Sequence, residues 1–338
     1  MKIVIATGIY PPDIGGPAQY AREMERAWTR AGHAVQVLVF RTERRLPTGI
    51  RHLYYFFRVL WALRGVDFVF SPDTFSAALP AVCAAKLLSK QIIIRTGGDF
   101  LWEEYVERTG DLVLLRNFYA TRMASLNLKE RLVFRLMRFV FRRADVVVFS
   151  TAWQRDIFAE PYHLNSKKCF VVENCYVPSV TNKPRSFLNG KKVFVAGVRE
   201  RKWKNMPRLQ RAFAVAERRD PSLLLQWETG SRGKFLQDIK DSYAVIIASL
   251  GDVSPNTILE AISFGIPFIL TRETGLYERL KDVAVWVNPE DEADIAEKIL
   301  WLADERNYTI QTATVRSFSF SHSWDDIADE LFSLAHRI

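Results

Sequence analysis

Residues 251–267, GDVSPNTILEAISFGIP, join an acid, a helix start and a second acid. Ser254 followed by Pro255 predicts a helix with Ser254 as its cap, Pro255 at its first position and an end near Gly265. The first amides of such a helix, at Asn256, Thr257 and Ile258, favour an anion, phosphate above all. Asp252 stands just before it. Glu260 falls on its second turn among Ile258, Leu259, Ala261 and Ile262, where a carboxylate suits two hydroxyl donors from a ribose. An N-terminal acid on a plain surface helix reads the same in isolation. A second group is AGVRERKWKN, residues 196–205. Arg199 and Lys204, five apart in a strand-to-helix loop, suit a diphosphate whose charge grows as it departs. Arg201 and Lys202 between them read as solvated.

Two weaker groups follow. GIYPPDIGGPAQY, residues 8–20, sets Gly15 and Gly16 in a turn after the first strand, where backbone can approach a ligand closely. It is not the dinucleotide fingerprint, because no G-x-G-x-x-G is present. RTGGDFLWEE, residues 95–104, places Asp99 in a strand-end loop, either against an acceptor or as the cap of the helix that follows. The five histidines are scattered, with neither H-E-x-x-H nor a Cys/His cluster, so no metal site is expected. There is no Walker lysine loop, no G-x-S-x-G elbow and no D-x-D pair ending a strand.

The elements that must position these groups alternate. Short apolar runs at Lys2–Ala6, Ala34–Phe40, Asp67–Ser71, Gln91–Arg95, Asp145–Ser150 and Cys169–Glu173 read as buried parallel strands with helical stretches between them. After a polar stretch holding two prolines (177–190), strands recur at Lys192–Gly197, Leu223–Trp227, Ala244–Ser249, Pro267–Thr271 and Ala284–Val287. The expected fold is α/β, two doubly wound Rossmann-like domains facing a cleft. The expected boundaries are 1–178 for the first domain, 179–190 for a linker, 191–321 for the second domain and 322–338 for a C-terminal helix.

The chain has 338 residues, 49% hydrophobic and 25% charged, which is enough for two packed domains and excludes wholesale disorder. Three cysteines are too few for a disulfide scaffold and suit a reducing cytoplasm. No secretory leader or membrane-spanning run is evident. Charge is uneven. Residues 1–150 carry 22 Lys and Arg against 13 Asp and Glu, whereas residues 151–338 carry 25 of each. The basic half implies an anionic partner. Arg44–Arg64 and Leu126–Arg143 are basic, aromatic stretches that read as helices for an anionic membrane surface, the second with Leu132, Val133, Leu136, Phe139 and Val140 on one face. Signatures of nucleic-acid binding are missing.

Taken together, these segments resemble glycosyltransferase family 4, across nearly the whole chain. YPPDIGGPAQY is similar to the family's glycine-rich N-terminal loop, GVRERKWKN to its G-R-L-x-x-x-K-N/G element, and SPNTILEAISFGIPFI to its P-N-x-x-L-E-A segment. VWVNPEDEADIAEKI and FSHSWDDIADEL resemble the family's C-terminal strand, helix and closing helix. The resemblance implies the GT-B architecture, with 1–178 as acceptor-binding domain, 191–321 as nucleotide-sugar-binding domain and 322–338 as a closing helix that packs back toward the first. It also implies a retaining, metal-independent transfer of a sugar from a nucleoside-diphosphate sugar to an acceptor hydroxyl. It assigns catalysis to Arg199, Lys204 and Asp252, donor binding to Gly15, Gly16, Ser254, Asn256, Thr257 and Glu260, and the acceptor side to Asp99. The family's first glutamate is here Asp252, and its acceptor-loop histidine is absent from Thr96–Asp99. No cofactor is implied beyond the donor. The expected partners are a nucleotide sugar, a glycan or lipid-linked acceptor in cell-surface polysaccharide or glycolipid synthesis, and an anionic membrane. The expected location is the cytoplasm, peripheral at the inner face of the cell membrane. The alternative is a non-catalytic relative that binds a nucleotide sugar or glycan and acts as a scaffold.

Overall fold

The computed structural model describes the chain apart from residues 14, 48, 178–189, 198–200, 228–230 and 337–338 and the side chains of residues 42 and 44. The strands are β1 (Lys2–Thr7), β2 (Ala34–Val39), β3 (Phe68–Ser71), β4 (Gln91–Thr96), β5 (Val146–Phe149), β6 (Cys169–Val171), β7 (Lys192–Ala196), β8 (Leu223–Gln226), β9 (Ala244–Ile247), β10 (Phe268–Thr271) and β11 (Val285–Val287). The helices of the first half are α1 (Gly16–Arg30), α2 (Ile50–Ala62), α3 (Ala78–Leu87), α4 (Phe100–Thr109), α5 (Leu115–Thr121), α6 (Leu128–Arg143) and α7 (Ala152–Ala159). Those of the second half are α8 (Met206–Arg219), α9 (Arg232–Asp241), α10 (Asn256–Ser263), α11 (Tyr277–Leu280), α12 (Glu292–Ala303), α13 (Glu305–Ser317) and α14 (Trp324–His336).

Two compact units result. The first holds Met1–Leu101, Ala124–Cys175 and His322–Ile338. Its sheet runs β2-β1-β3-β4-β5-β6, every pair parallel. Strands such as Ile3–Ala6 and Phe68–Phe70 are buried on both faces, which is why they read as unbroken apolar runs. One face is covered by α1 and α14: Met24, Ala27, Trp28, Ile327 and Leu331 pack with Ile3, Phe68 and Ile93. Trp28 Nε1 donates to the Ala328 carbonyl at 3.1 Å, so the last helix is bonded into the unit that begins the chain. The helix α3 packs on β1, β3 and β4, and α2 and α6 pack against α3. The second basic stretch divides differently from its sequence pattern. Val133 and Val140 are buried with Met137 and Phe141, while Leu132 and Phe139 stay exposed. A 3.6-residue repeat shifts the inward stripe by part of a turn relative to the face first drawn. The first basic stretch is α-helical only from Ile50, since residues 42–45 form a separate short turn.

The second unit holds Trp102–Met123 and Tyr176–Ser321. Its all-parallel sheet runs β11-β10-β9-β7-β8. Leu209, Phe213 and Ala216 of α8 and Ile295 and Ile299 of α12 fill one face. Phe235 and Ile239 of α9 and Ile258, Ala261 and Ile262 of α10 fill the other. The order reverses between β7 and β9, the switch point where such sheets open a crevice at their carboxyl ends.

Residues 102–123 belong to this unit, although in sequence they lie within the first 178. Leu115 donates its amide to the Leu250 carbonyl at 3.1 Å. Trp102 packs on Trp203 with ring centroids 5.6 Å apart. A Cβ on Gly251 would lie 2.6 Å from Leu115 Cβ and 3.0 Å from Trp102. Sequence alternation cannot register this, because the contacts join segments about 100 or more residues apart. The proposed linker 179–190 lies, but for Gly190, outside the described residues.

Candidate active site

The loop after β7 crosses the switch point and delivers Lys204. A short 3-10 turn, Lys202–Lys204, precedes Asn205, which caps α8 in the left-handed conformation with φ 62°. Asparagine tolerates that conformation better than most side chains do. Its buried amide donates to the carbonyls of Ala248 at 2.9 Å and Pro289 at 2.7 Å. One residue thus fixes the loop to the ends of β9 and β11 and sets where Lys204 projects.

Asp252 arrives from the loop after β9. Its amide donates to the Glu273 carbonyl at 2.9 Å, and the residue bridges in parallel to Thr274. Lys204 Nζ lies 2.6 Å from Asp252 Oδ2, with the ammonium also 4.3 Å from the centroid of the Trp203 ring. The cation and the acid predicted 48 residues apart are therefore one ion pair across the β7/β9 switch point. Both are largely withdrawn from water, with side-chain exposures of 20% and 11%. Partial burial makes their interaction much stronger than that of a surface pair.

Glu260 sits on α10 and pairs with Arg232 at the start of α9. Its Oε2 is buried and has no hydrogen-bond partner among the described residues. Burial raises the carboxyl pKa above the usual range, and the Arg232 charge opposes that rise. A buried acceptor left open is costly unless a ligand completes it, and a sugar hydroxyl supplies the matching donor.

The helix α10 begins later than Ser254 and Pro255 predict. Asn256 is its first residue, and Pro255 rather than Ser254 occupies the cap. Pro255 has ψ 107°, an extended value that delays helix entry by one residue. Ile258 donates its amide to the Pro255 carbonyl at 3.0 Å, so that amide is spent inside the helix and does not face an anion. The half-buried Ser254 and Thr257 and exposed Asn256 remain on the loop side of the sheet's carboxyl edge.

Arg199 lies outside the described residues. Gly15, Gly16 and Asp99 belong to the first unit. There Gly15 caps α1, Gly16 is its first residue, and the buried Asp99 directly precedes α4. The residues between Thr96 and Gly98 are held by Gln154, whose Nε2 reaches Thr96 Oγ1 at 3.1 Å and the Gly98 carbonyl at 2.8 Å. Sequence reasoning passed over Arg232, Asn205 and the buried Glu273, which Arg116 of α5 meets at 2.6 Å. The K-N pair ending GVRERKWKN is the one local signal that could have found Asn205. The other two depend on partners distant in sequence.

The region around these loops can be compared with known proteins. Residues 14–179 match the family model described as Glycosyltransferase Family 4. Over residues 14–179 the chain is a member of glycosyltransferase family 4. No curated protein sequence matches it at a significant level. Among solved structures it is similar to Anabaena HepE in complex with UDP, at 11% identity and a TM-score of 0.68 over 100% of both chains. It is similar to sucrose-phosphate synthase of Thermosynechococcus elongatus at 14% identity and a TM-score of 0.68, over 99% of this chain and 98% of that one. A third is the UDP-forming α,α-trehalose-phosphate synthase of Burkholderia vietnamiensis, at 11% identity and a TM-score of 0.67 over 100% of both. At these identities the likeness establishes the fold, two Rossmann-like units of the GT-B type. The family model and these neighbours support a glycosyltransferase.

Proposed function

We propose that this glycosyltransferase moves a sugar, with retention at the anomeric carbon, from a nucleoside-diphosphate sugar to an acceptor hydroxyl. The observation that carries the reading is the Lys204–Asp252 pair at the β7/β9 switch point, beside a helix whose Glu260 keeps an open acceptor. When donor binds, Lys204 turns from Asp252 to the diphosphate and neutralises the charge that builds as the glycosidic C–O bond breaks. Asp252, released, faces the transferred sugar. Glu260 accepts from the ribose. The acceptor oxygen bonds to the anomeric carbon, and its proton passes to the departing phosphate oxygen, so no separate base is required. The cations meet the leaving charge in this scheme, and we propose no metal ion. We assign Arg199 to the same diphosphate, Ser254, Asn256 and Thr257 to the donor, Gly15 and Gly16 to the donor and Asp99 to the acceptor, from the family resemblance.

We further propose that the enzyme works peripherally at the cytoplasmic face of a membrane, on a lipid-linked glycan. Support comes from α2. It buries Tyr55 and Val59, while Ile50, Leu53, Tyr54, Phe57 and Trp61, all on one helix face, are each more than half exposed. The helix has no acid, and Arg64 lies against the Trp61 ring at 4.7 Å. A row of exposed aromatics and leucine beside arginines matches an anionic bilayer interface. Among the described residues no helix is long and apolar enough to cross a membrane.

The test is nucleoside-diphosphate release from a panel of nucleotide sugars that starts with UDP-glucose, the ligand of one HepE structure. A crude lipid-glycan extract serves as acceptor. Release from one donor that disappears in Lys204→Gln and Glu260→Ala supports the reading. Binding of a donor without release by the wild type would overturn it in favour of the scaffold.

A further inference from the structure

Arg95 is the penultimate residue of β4 and only 5% exposed. Its Nη2 donates to Asn174 Oδ1 at 2.5 Å, and its guanidinium carbon lies 3.8 Å from the centroid of the Tyr20 ring. Both partners are neutral. Its Nε is buried with no hydrogen-bond acceptor, and no carboxylate pairs with it among the described residues. Other buried charges here are handled differently: Glu43 pairs with Arg58, Asp252 with Lys204 and Glu273 with Arg116. A buried cation without a counter-charge is expensive, so its retention needs a reason.

The surroundings supply one. Tyr20 lies in the opening turns of α1, a helix whose first turn has no acidic residue and whose cap makes no side-chain hydrogen bond. The positive end of that helix and the guanidinium thus belong to one neighbourhood, linked through Tyr20. On another side the guanidinium lies against the loop at Gly97. A Cβ on Gly97 would stand 2.8 Å from Nη1, so the loop passes over the cation without a side chain. The position is the carboxyl end of a central parallel strand, where such sheets receive ligands.

We propose that Arg95 is a binding residue for a phosphoryl group of a substrate, through the Nε edge that the protein leaves without an acceptor. Guanidinium presents a planar fork that matches two phosphoryl oxygens. The choice of phosphoryl over carboxylate rests on the transferase reading; the site itself does not. The group could come from the donor's diphosphate or from a phosphorylated acceptor.

The probe is inorganic diphosphate, titrated against the melting temperature of the full chain carrying Arg199→Gln and Lys204→Gln, so that the two cations assigned to the donor's diphosphate do not contribute. Diphosphate should stabilise this protein, and adding Arg95→Gln should abolish that response while leaving the unliganded melting temperature equal or higher, since an unpaired buried charge has been removed. Arg95→Lys keeps the charge but loses the fork and should weaken the apparent affinity about tenfold. In the chain with Arg199 and Lys204 intact, saturating UDP should remove the Arg95-dependent response if the phosphoryl is the donor's and leave it if it is the acceptor's. No response in the protein lacking Arg199 and Lys204, an unchanged response on adding Arg95→Gln, or an unchanged affinity on adding Arg95→Lys would each overturn the proposal. Because turnover is not read, these outcomes stand apart from success or failure of the transferase assay.

Discussion

Lys204 and Asp252 neutralise each other at 2.6 Å before any ligand arrives. In the proposed scheme the pair is a store of positioned charge, from which a diphosphate would take the lysine and free the acid in the same event. Lys204→Gln should therefore lower kcat/KM by about 10²–10³-fold, the usual size of a lost transition-state contact. Steady-state release of nucleoside diphosphate measures it, and a change under tenfold would argue that the lysine only positions Asp252. Glu260 carries a pH prediction. In the proposed donor site ribose hydroxyls would donate to it, so the ionised form would bind. Burial raises its pKa, with Arg232 opposing. As pH falls, donor affinity should fade at a higher pH than an exposed glutamate would dictate. Arg232→Gln removes the opposing charge and should push that acid limb higher still. Donor KM against pH tests both, and a limb that moves down in Arg232→Gln refutes the assignment.

The loops are as specific as the residues they carry. Gly251 is closely packed under Leu115 and Trp102, so Gly251→Ala must push α5 away from the end of β9. Overpacking of this kind costs about 1–3 kcal/mol, readable by chemical denaturation. Loss of donor affinity should accompany it, because Asp252 is the next residue. Asn205→Ala should be similar in cost, about 1–3 kcal/mol, for it removes the side-chain donor to the buried Ala248 carbonyl, while the Pro289 carbonyl keeps Arg208. Thermal melts of this variant should show the loss even where no substrate is present. The helices α2 and α6 differ in a way that composition hides. Both are basic and apolar, yet α6 turns Val133, Met137, Val140 and Phe141 inward, while α2 leaves five large side chains outside.

For the whole molecule, the basic excess of the first 150 residues and the exposed row on α2 belong to the same unit. Vesicles containing phosphatidylglycerol should pull the protein down in sedimentation, and neutral phosphatidylcholine vesicles should do so far less. Added salt should weaken the attachment, since exposed charges are screened within about 10 Å at 0.1 M. The double variant Phe57→Ser, Trp61→Ser should stay in the supernatant with an unchanged melting temperature, because neither side chain is in the core. Equal binding of the variant would move the contact elsewhere on the surface.

The sequence by itself determined the eleven strands, the two-unit α/β organisation, and the identity of Lys204 and Asp252 as charged groups in strand-to-helix loops and of Glu260 as an acid on a helix. Those are local matters: an apolar run bounded by polar residues is a buried strand wherever it sits, and strand-to-helix loops emerge at one edge of a parallel sheet. Tertiary structure alone decided that Lys204 meets Asp252, that Arg232 meets Glu260 and that residues 102–123 join the second unit. It also moved the start of α10 past Ser254, because an extended Pro255 took the cap. Pairing depends on which strands become neighbours, and the order β11-β10-β9-β7-β8 is set by the packing of whole faces, which no spacing in the chain encodes. Arg95 is the plainest case. In sequence it is one basic residue ending a strand, and only burial without a counter-charge makes it a candidate for binding an anion.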